Sequence, residues 1–147
     1  MSAQLLREGL RLNLYNDPVG HCTIGIGHLV HLGPCDGRES EAPFTTGFTQ
    51  EQAYELFRTD VANYERAVRD LVKVPLTQNQ FDALVSFTCN VGVHTFAHAG
   101  LLSKLNQGDY ESVPSELNRW VYASGQKLSG LVKRRANEGA LFRDGTY

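Results

Sequence analysis

The chain has 147 residues, 41% of them hydrophobic and 20% charged, values typical of one globular domain that buries a core. Its net charge of −2 is not the strongly basic balance that would imply a nucleic-acid-binding protein, so we expect no nucleic-acid partner. No apolar run approaches the roughly 18 residues that a membrane helix needs, and the N-terminus lacks a signal-peptide pattern, so we expect no membrane insertion.

The N-terminal residues are predicted to form a short helix and a turn. Leucines at helical spacing favour a helix over residues 3–12, with Glu8 in its second half. The stretch Asp17-Pro-Val-Gly20 is typical of a turn, because proline and glycine both favour turn backbone conformations. Two acidic residues, Glu8 and Asp17, are therefore expected on either side of a bend.

The next stretch predicts a β-hairpin followed by an irregular connection. Residues 22–30 alternate and are rich in β-branched side chains, which indicates a strand or a hairpin. Because side chains alternate along a strand, Thr23, Gly25 and Gly27 are expected on one face, as a bare wall that a bulky polymer could approach. Residues 32–47 contain several turn-forming glycines and prolines and are expected to be irregular.

The rest of the chain is predicted to be helical. Thr49-Gln-Glu-Gln52 and Thr77-Gln-Asn-Gln80 both match the capping-box pattern at a helix N-terminus. An apolar stripe after the first box predicts a long helix over 49–72, and the helix after the second box is expected to stop at Gly92. Further helices are predicted over residues 95–106, 111–122 and 130–142.

Together these elements predict an α+β fold that is mostly helical. We expect a single domain, 1–147, with lobes of about 1–48 and 72–147, a linking helix 49–72 and a small antiparallel sheet in the first lobe. Residues 1–72 hold six basic and ten acidic residues, and the remaining residues hold eight and six. The two parts therefore carry net charges of −4 and +2, and the C-terminal part is mildly suited to an anionic partner.

The three cysteines leave the redox state of the chain open. Cys22 and Cys35 flank the predicted hairpin and could meet in an oxidising compartment, but the sequence does not set the separation of their Cα atoms. Cys89 lies in an apolar helical stretch and is expected to be a small buried side chain.

Five residues near the hairpin have side chains that can bind metals: His21, Cys22, His28, His31 and Cys35. Their spacing matches no familiar zinc pattern, so we expect no metal site, and no cofactor is implied. His28 is expected instead to be structural, paired with Asp60 on the long helix.

Glu8, Asp17 and Thr23 are the residues in which we expect catalysis. Hydrolysis of a glycosidic bond needs a carboxylic acid that protonates the leaving oxygen and a carboxylate on the other side. Glu8 suits the acid because apolar neighbours raise the pKa of a carboxyl, whereas Asp17, in a polar turn, suits the ionised base. Thr23 could hydrogen-bond the attacking water. Their spacing alone is also compatible with solvated charges and a turn-forming Asp.

The residues around this trio resemble a known family. The segment Glu8–His28, with its acids, threonine and glycines at fixed spacing, is similar to the active-site segment of phage-type lysozymes, glycoside hydrolase family 24. Further matches follow in order along nearly the whole chain except 32–47: Leu76–Phe87, Asn90–Gly92, Leu101–Asn106, Gly108–Tyr110, Arg119–Trp120, and Gly130–Arg135 with Glu138 beyond. An ordered set of this kind is highly specific.

The resemblance implies a two-lobed fold and a site in which each residue has a role. It implies cleavage of the β-1,4 bond between N-acetylmuramic acid and N-acetylglucosamine in peptidoglycan, with inversion at the anomeric carbon. Glu8 matches the proton donor, Asp17 the water-activating carboxylate and Thr23 the hydroxyl that completes the trio. Arg134 matches a basic residue that approaches the catalytic Glu, where a cation lowers the pKa of a carboxyl.

Four residues are expected to contact substrate: Leu29, Asn90, Phe96 and Arg134. An amide can read N-acetyl groups through its donors and acceptor, and an apolar ring can pack on a sugar face. Phe96 could equally belong to the core.

Three functions remain open from the sequence. The intact trio favours an active muramidase, a monomeric endolysin that opens the bacterial cell wall. The alternatives are a non-catalytic peptidoglycan-binding relative and a hydrolase of a chitin-type polymer. An endolysin would pass from the host cytoplasm to the cell wall. If an export signal was removed from this sequence, the protein would instead be a secreted one.

Overall fold

The computed structural model of the chain describes residues 10–17, 20–46, 48–123 and 125–144. The chain divides into two compact units, residues 2–62 and 63–147. The boundary falls inside one long helix, α1 (Gln50–Leu71), which therefore contributes residues to both units. The α+β, mostly helical fold class is confirmed. The lobe boundaries near residues 48 and 72 stay a prediction.

The first unit contains a three-stranded antiparallel sheet in the order β1 (Arg11–Asn16), β2 (Cys22–Gly25), β3 (His28–His31). The predicted hairpin is confirmed, because only Ile26 and Gly27 separate β2 from β3. Ile24 pairs with His28 across the turn, and Gly27 has φ +69°, a left-handed backbone conformation that glycine adopts without strain. β2 is the central strand, and all four of its residues are buried.

The helix predicted over residues 3–12 is wrong at its C-terminal end. Residues 3–9 lie outside the described part of the chain, whereas β1 begins at Arg11, which pairs with Gly25 of β2. Leu12 and Leu14 fit the two-residue period of a strand as well as they fit a helix. Pairing with the neighbouring strand decides between the two, since it satisfies the backbone hydrogen-bonding groups of this segment.

The bare glycine face expected beside Thr23 is also wrong. Gly25 is buried, and a Cβ atom added to it would lie 3.8 Å from the Cβ atom of Ala53 on α1. Ala53 is itself fully buried. Gly25 therefore lies against α1 and leaves no space for a polymer, and its φ of +67° is a backbone conformation that favours glycine.

The connection after the sheet is more ordered than expected. It contains a 3-10 helix, Glu39–Phe44. Cys35 forms a disulfide with Cys22, with the two Cα atoms 4.7 Å apart, and so ties the connection to β2. The backbone N–H of Cys35 also donates a hydrogen bond to Asn16 Oδ1, at 2.8 Å. The disulfide that the sequence left open is thus present.

Both predicted capping boxes are confirmed. At the start of α1, the N–H of Gln52 donates to Thr49 Oγ1 (3.1 Å) and the N–H of Thr49 donates to Gln52 Oε1 (2.9 Å). Thr77 and Gln80 make the same reciprocal pair before α2 (Gln78–Val91), which ends at Gly92 as expected.

The short helices that follow differ from the prediction. Ala99 has an extended backbone (φ −73°, ψ 141°) and divides the helix predicted over 95–106 into two. The helix predicted over 111–122 is wrong beyond Leu117, because the chain forms a small hairpin there instead. The elements after α2 are α3 (Val93–His98), α4 (Gly100–Asn106), α5 (Val113–Leu117), β4 (Tyr122–Ala123), β5 (Gln126–Lys127) and α6 (Ser129–Asp144), the last of which confirms the helix predicted over 130–142.

The core of the second unit lies where α6 packs against α2 and α5. Burial of each large apolar side chain there contributes roughly 1.5–3 kcal/mol. Cys89, expected to be buried, is partly exposed. No helix in the described ranges combines the length and hydrophobicity needed to cross a bilayer. The fully buried side chains of the core include Leu84, Phe87, Phe96, Leu101, Leu105, Leu117, Arg135 and Glu138.

Candidate active site

Asp17 is held by the turn that it opens. Its backbone N–H donates to the carbonyl of His21 (2.9 Å), and its carbonyl accepts from the N–H of Gly20 (2.8 Å). The side-chain Oδ1 accepts from the N–H of His21 at 2.8 Å. A carboxylate that bonds to the backbone a few residues ahead is a common turn-stabilising arrangement, and here it also fixes the direction of the carboxylate.

Thr23 is joined to the same peptide group. It is 3% exposed, and its Oγ1 donates to the carbonyl of His21 at 2.9 Å. His21 therefore donates its N–H to Asp17 and offers its carbonyl to Thr23, so one residue links two members of the predicted trio. The third member, Glu8, lies outside the described residues.

His21 is a residue of the site that the sequence analysis did not identify. Its ring Nδ1 accepts a hydrogen bond from the N–H of Gly33, at 2.9 Å. The N–H of Cys22 also donates to the carbonyl of Gly33 (2.8 Å), so the start of the connection holds this part of the chain from a second side. Backbone contacts of this kind leave no motif in a sequence.

Two neighbours complete the described surroundings of Thr23 in the first unit. Tyr15 on β1 and Leu29 on β3 are its register partners across the sheet. Burial raises the pKa of the Tyr15 phenol. Leu29, one of the expected sugar contacts, is 48% exposed, so its apolar side chain is accessible to a ligand.

The connection carries a buried ionic cluster. Glu41 Oε2 lies 2.6 Å from His31 Nε2, and Glu41 also accepts the N–H groups of Asp36 (2.9 Å) and Gly37 (3.1 Å). The N–H of Asp36 and the ring of His31 are the main causes that lower the pKa of Glu41. The pKa of His31 is raised, first by its bond to the carbonyl of Leu32 and then by Glu41.

Two groups of possible metal ligands occur among the described residues, and both are engaged in other interactions. One contains Cys22 and Cys35, whose sulfur atoms form the disulfide rather than thiolates. The other contains His31, Asp36 and Glu41, in which the Asp36 carboxylate is bound by the guanidinium of Arg38 at 2.7 Å.

The predicted pairing of His28 with Asp60 is confirmed. His28 Nδ1 lies 2.7 Å from Asp60 Oδ2, and both residues belong to the first unit. The pair joins β3 to α1.

The remaining expected substrate contacts lie in the second unit. Phe96 is fully buried and packs edge-on against Phe87, with ring centroids 6.4 Å apart, so its side chain belongs to the core. Asn90 is an exposed residue near the end of α2. Arg134 is mostly buried: its Nη2 donates to the carbonyl of Ser86 at 2.7 Å and its Nε to Glu138 Oε2 at 3.2 Å.

A buried ion pair lies next to Arg134 and was not expected from the sequence. Arg135 and Glu138 are both fully buried and are bonded to each other through Nη1 and Oε1. Ser86 Oγ donates to the second Glu138 oxygen, Oε2, at 2.6 Å. The spacing Arg-x-x-Glu on a helix could have indicated the pair, but it does not indicate burial.

Known proteins resemble this chain over most of its length. The phage lysozyme family model matches residues 6–138. An endolysin of Acyrthosiphon pisum secondary endosymbiont phage 1 is 41% identical over 92% of this chain and 88% of its own length. An endolysin of Bacillus phage PZA is 40% identical over 95% of this chain, which spans about half (51%) of that protein. The muramidase domain of SpmX from Asticaccaulis excentricus has a similar structure, with a TM-score of 0.71 and 36% identity over 92% of this chain and 88% of that one.

Proposed function

The chain belongs to the phage lysozyme family, whose enzymes hydrolyse peptidoglycan and lyse bacterial cell walls, and we propose which bond this chain cleaves and which of its residues cleave that bond. The bond is the β-1,4 linkage between N-acetylmuramic acid and N-acetylglucosamine. The reaction is a single displacement by water with inversion at the anomeric carbon. The observation that carries the proposal is the hydrogen bonding of Asp17 and Thr23 to one residue, His21.

Asp17 is the general base in this proposal. A base must hold its carboxylate in a fixed direction toward one water molecule, and the bond from the N–H of His21 to Asp17 Oδ1 supplies that restraint. In an inverting enzyme the two carboxyl groups are separated by roughly 6.5–9.5 Å, which leaves room for the water. Glu8, the acid, protonates the leaving oxygen from the opposite side of the bond.

Thr23 orients the attacking water. Its single hydroxyl proton is donated to the carbonyl of His21, so the lone pairs of Oγ1 are the groups left to bind a ligand. The hydroxyl therefore accepts a hydrogen from the water and leaves the other hydrogen for Asp17. Substrate sugars contact the exposed Leu29 and Asn90, and Arg134 supplies positive charge at the acid, whereas Phe96 supports the core.

The test is hydrolysis of purified peptidoglycan by the wild type, Glu8→Gln and Asp17→Asn, with clearing and new reducing ends both measured. Each variant keeps the shape of the side chain but removes the proton transfer, so we expect kcat to fall about 10²–10⁴-fold. Proton NMR of the first product should show the α-anomer, since inversion of a β bond gives that anomer.

Matched controls separate chemistry from structure. Asp36→Asn alters another aspartate of the first unit that accepts a backbone N–H in a turn, and Glu51→Gln alters an exposed glutamate of α1; both should retain wild-type rates. A fully active Asp17→Asn would reduce Asp17 to a turn residue. Wild-type protein that sediments with cell walls but releases no reducing ends would establish a binding protein, and cleavage of chitin in preference to peptidoglycan would change the substrate.

A further inference from the structure

Arg135 on α6 contacts the end of α2 through the side chain of Asn90. Its Nη2 donates to Asn90 Oδ1, its Nη1 to Glu138, and its Nε to the carbonyl of Trp120 at 2.9 Å. The guanidinium carbon also lies 4.9 Å from the centre of the Phe87 ring. Arg135 is thus fully buried and held on each side, so it forms a rigid support for Asn90.

The charge of Arg135 determines which way the Asn90 amide points. A guanidinium only donates hydrogen bonds, so the amide atom that faces it must be the oxygen. A flipped amide would place the Asn90 N–H donors against the N–H donors of Arg135 in a partly buried contact. The hydrogen-bonding chemistry of Arg135 therefore sets the orientation of this amide.

The other end of the same amide is available to a ligand. The amide group is planar, so fixing Oδ1 on Arg135 directs the Nδ2 hydrogens away from it. Asn90 is exposed, and within the described ranges its Nδ2 makes no hydrogen bond to the protein. The surface at the end of α2 thus presents the two N–H donors of Asn90, while Asn90 Oδ1 faces Arg135.

We propose that Arg135 is a positioning residue that fixes the Asn90 amide with its donors outward, so that this position selects the carbonyl of an N-acetyl group on the substrate. The inference rests on the proposed function and extends it to substrate selection. An N-acetylated amino sugar offers the carbonyl acceptor that the two N–H groups require. A de-N-acetylated sugar offers an ammonium group instead, which donates and carries positive charge, so it is disfavoured here.

The test compares fully N-acetylated glycan strands with the same strands after de-N-acetylation. Wild type, Asn90→Asp and Arg135→Lys are assayed for KM and kcat, and for binding by sedimentation with each polymer. Asn90→Asp keeps one oxygen for Arg135 but replaces the outward donors with a second oxygen. We expect KM on acetylated strands to rise about tenfold with little change in kcat, and the preference for acetylated over de-N-acetylated strands to fall or reverse.

Two further variants test whether the change in preference comes from the Asn90 amide and its contact with Arg135. Asn118→Asp adds the same charge at an exposed position of the same unit and should keep the wild-type preference. Arg135→Lys keeps a cation for Glu138 but lacks the forked donors, so the amide loses its fixed direction and the preference should weaken. Thermal melting of each variant shows whether the fold is intact, and if Arg135→Lys does not fold, Asn90→Asp decides alone.

An unchanged preference ratio in folded Asn90→Asp would overturn the inference while leaving the proposed function intact. A failure of the proposed function can also be recognised. If wild type hydrolyses neither polymer, the proposed function fails. Sedimentation then still decides whether Asn90 selects acetylated strands as part of a binding protein.

Discussion

The Thr23 hydroxyl has a single proton, so it can donate only one hydrogen bond. The hydroxyl donates to the carbonyl of His21, and in the proposed reaction it accepts from the attacking water. Thr23→Ser keeps both interactions and should retain most of the activity. Thr23→Val removes both, so we expect kcat to fall about 10–100-fold, as measured by initial rates on saturating peptidoglycan.

The same substitution also has a cost in stability, which must be measured separately. Valine removes the hydrogen bond from Thr23 to the partly buried carbonyl of His21, which still accepts the N–H of Asp17, so we expect a loss of about 0.5–1.5 kcal/mol. Rates are therefore compared at a temperature far below the melting transition of every variant. Equal kcat values for Thr23→Val and wild type under those conditions would remove Thr23 from the mechanism.

The sequence identifies the side chains of the site but not the groups that hold them in place. Asp17 and Thr23 could be selected because carboxylates and hydroxyls carry recognisable chemistry at a spacing that resembles a known family. His21 acts mainly through its peptide group, which every residue possesses, so nothing in the sequence marks it. Arg135 could not be selected either, because its role depends on complete burial beside Glu138.

Glu41 of the 3-10 helix forms an ion pair with His31, so the stability of this part of the first unit depends on pH. Both ring nitrogens of His31 face acceptors, Glu41 Oε2 at 2.6 Å and the carbonyl of Leu32 at 2.8 Å, so the ring binds best when doubly protonated. Its raised pKa means that His31 stabilises the fold below its ordinary pKa of 6.5, and that this contribution disappears as pH rises through the raised value.

The Glu41 carboxylate gives a pH dependence of stability in the opposite direction. The lowered pKa of Glu41 means that its contribution is present above the ordinary value of 4.5 and disappears as pH falls through the lowered value. The pair therefore stabilises the first unit most between about pH 4.5 and 6.5. Asp36, 3.9 Å from His31 Nε2, and Arg38, which binds Asp36, are the other charged groups beside the pair.

Melting temperatures of wild type and His31→Gln between pH 4 and 9 test this account. The stabilising difference should be largest near pH 5–6 and should shrink as the solution becomes alkaline. His98→Gln, an exposed histidine of α3, should melt like wild type at each pH. A His31→Gln difference that stays constant across the range would contradict the ion pair.

Elements with strong local signals could be predicted, and elements decided by distant partners could not. The boxes at Thr49 and Thr77 specify helix starts within four residues, and both are present. The strand β1 owes its conformation to β2, and the break at Ala99 has no side-chain cap that would mark it in the sequence. The hairpin β4–β5 has strands of two residues each, too short to produce a periodic pattern.

The disulfide between Cys22 and Cys35 stabilises the folded chain against unfolding. Cys22 and Cys35 are separated by 13 positions, and a crosslink that closes a loop of about 15 residues stabilises a protein by about 3 kcal/mol, chiefly by restricting the unfolded chain. The paired substitution Cys22→Ser and Cys35→Ser should therefore lower the free energy of unfolding by about 3 kcal/mol. Reductant should lower the stability of the wild type by a similar amount.

Denaturant titrations followed by two probes show how far this effect extends. Far-UV circular dichroism reports on both units, whereas Trp120, the single tryptophan of the chain, reports on the second unit. The helix α1 is continuous across the boundary and contributes buried side chains to both units: Ala53, Phe57 and Val61 to the first and Val68 to the second. We therefore expect both transitions to shift together on reduction. Cys89→Ser should respond to reductant like wild type, and the paired serine variant should not respond. A fluorescence transition that stays in place while circular dichroism shifts would mean that the two units unfold independently and that the disulfide stabilises only the one that contains it.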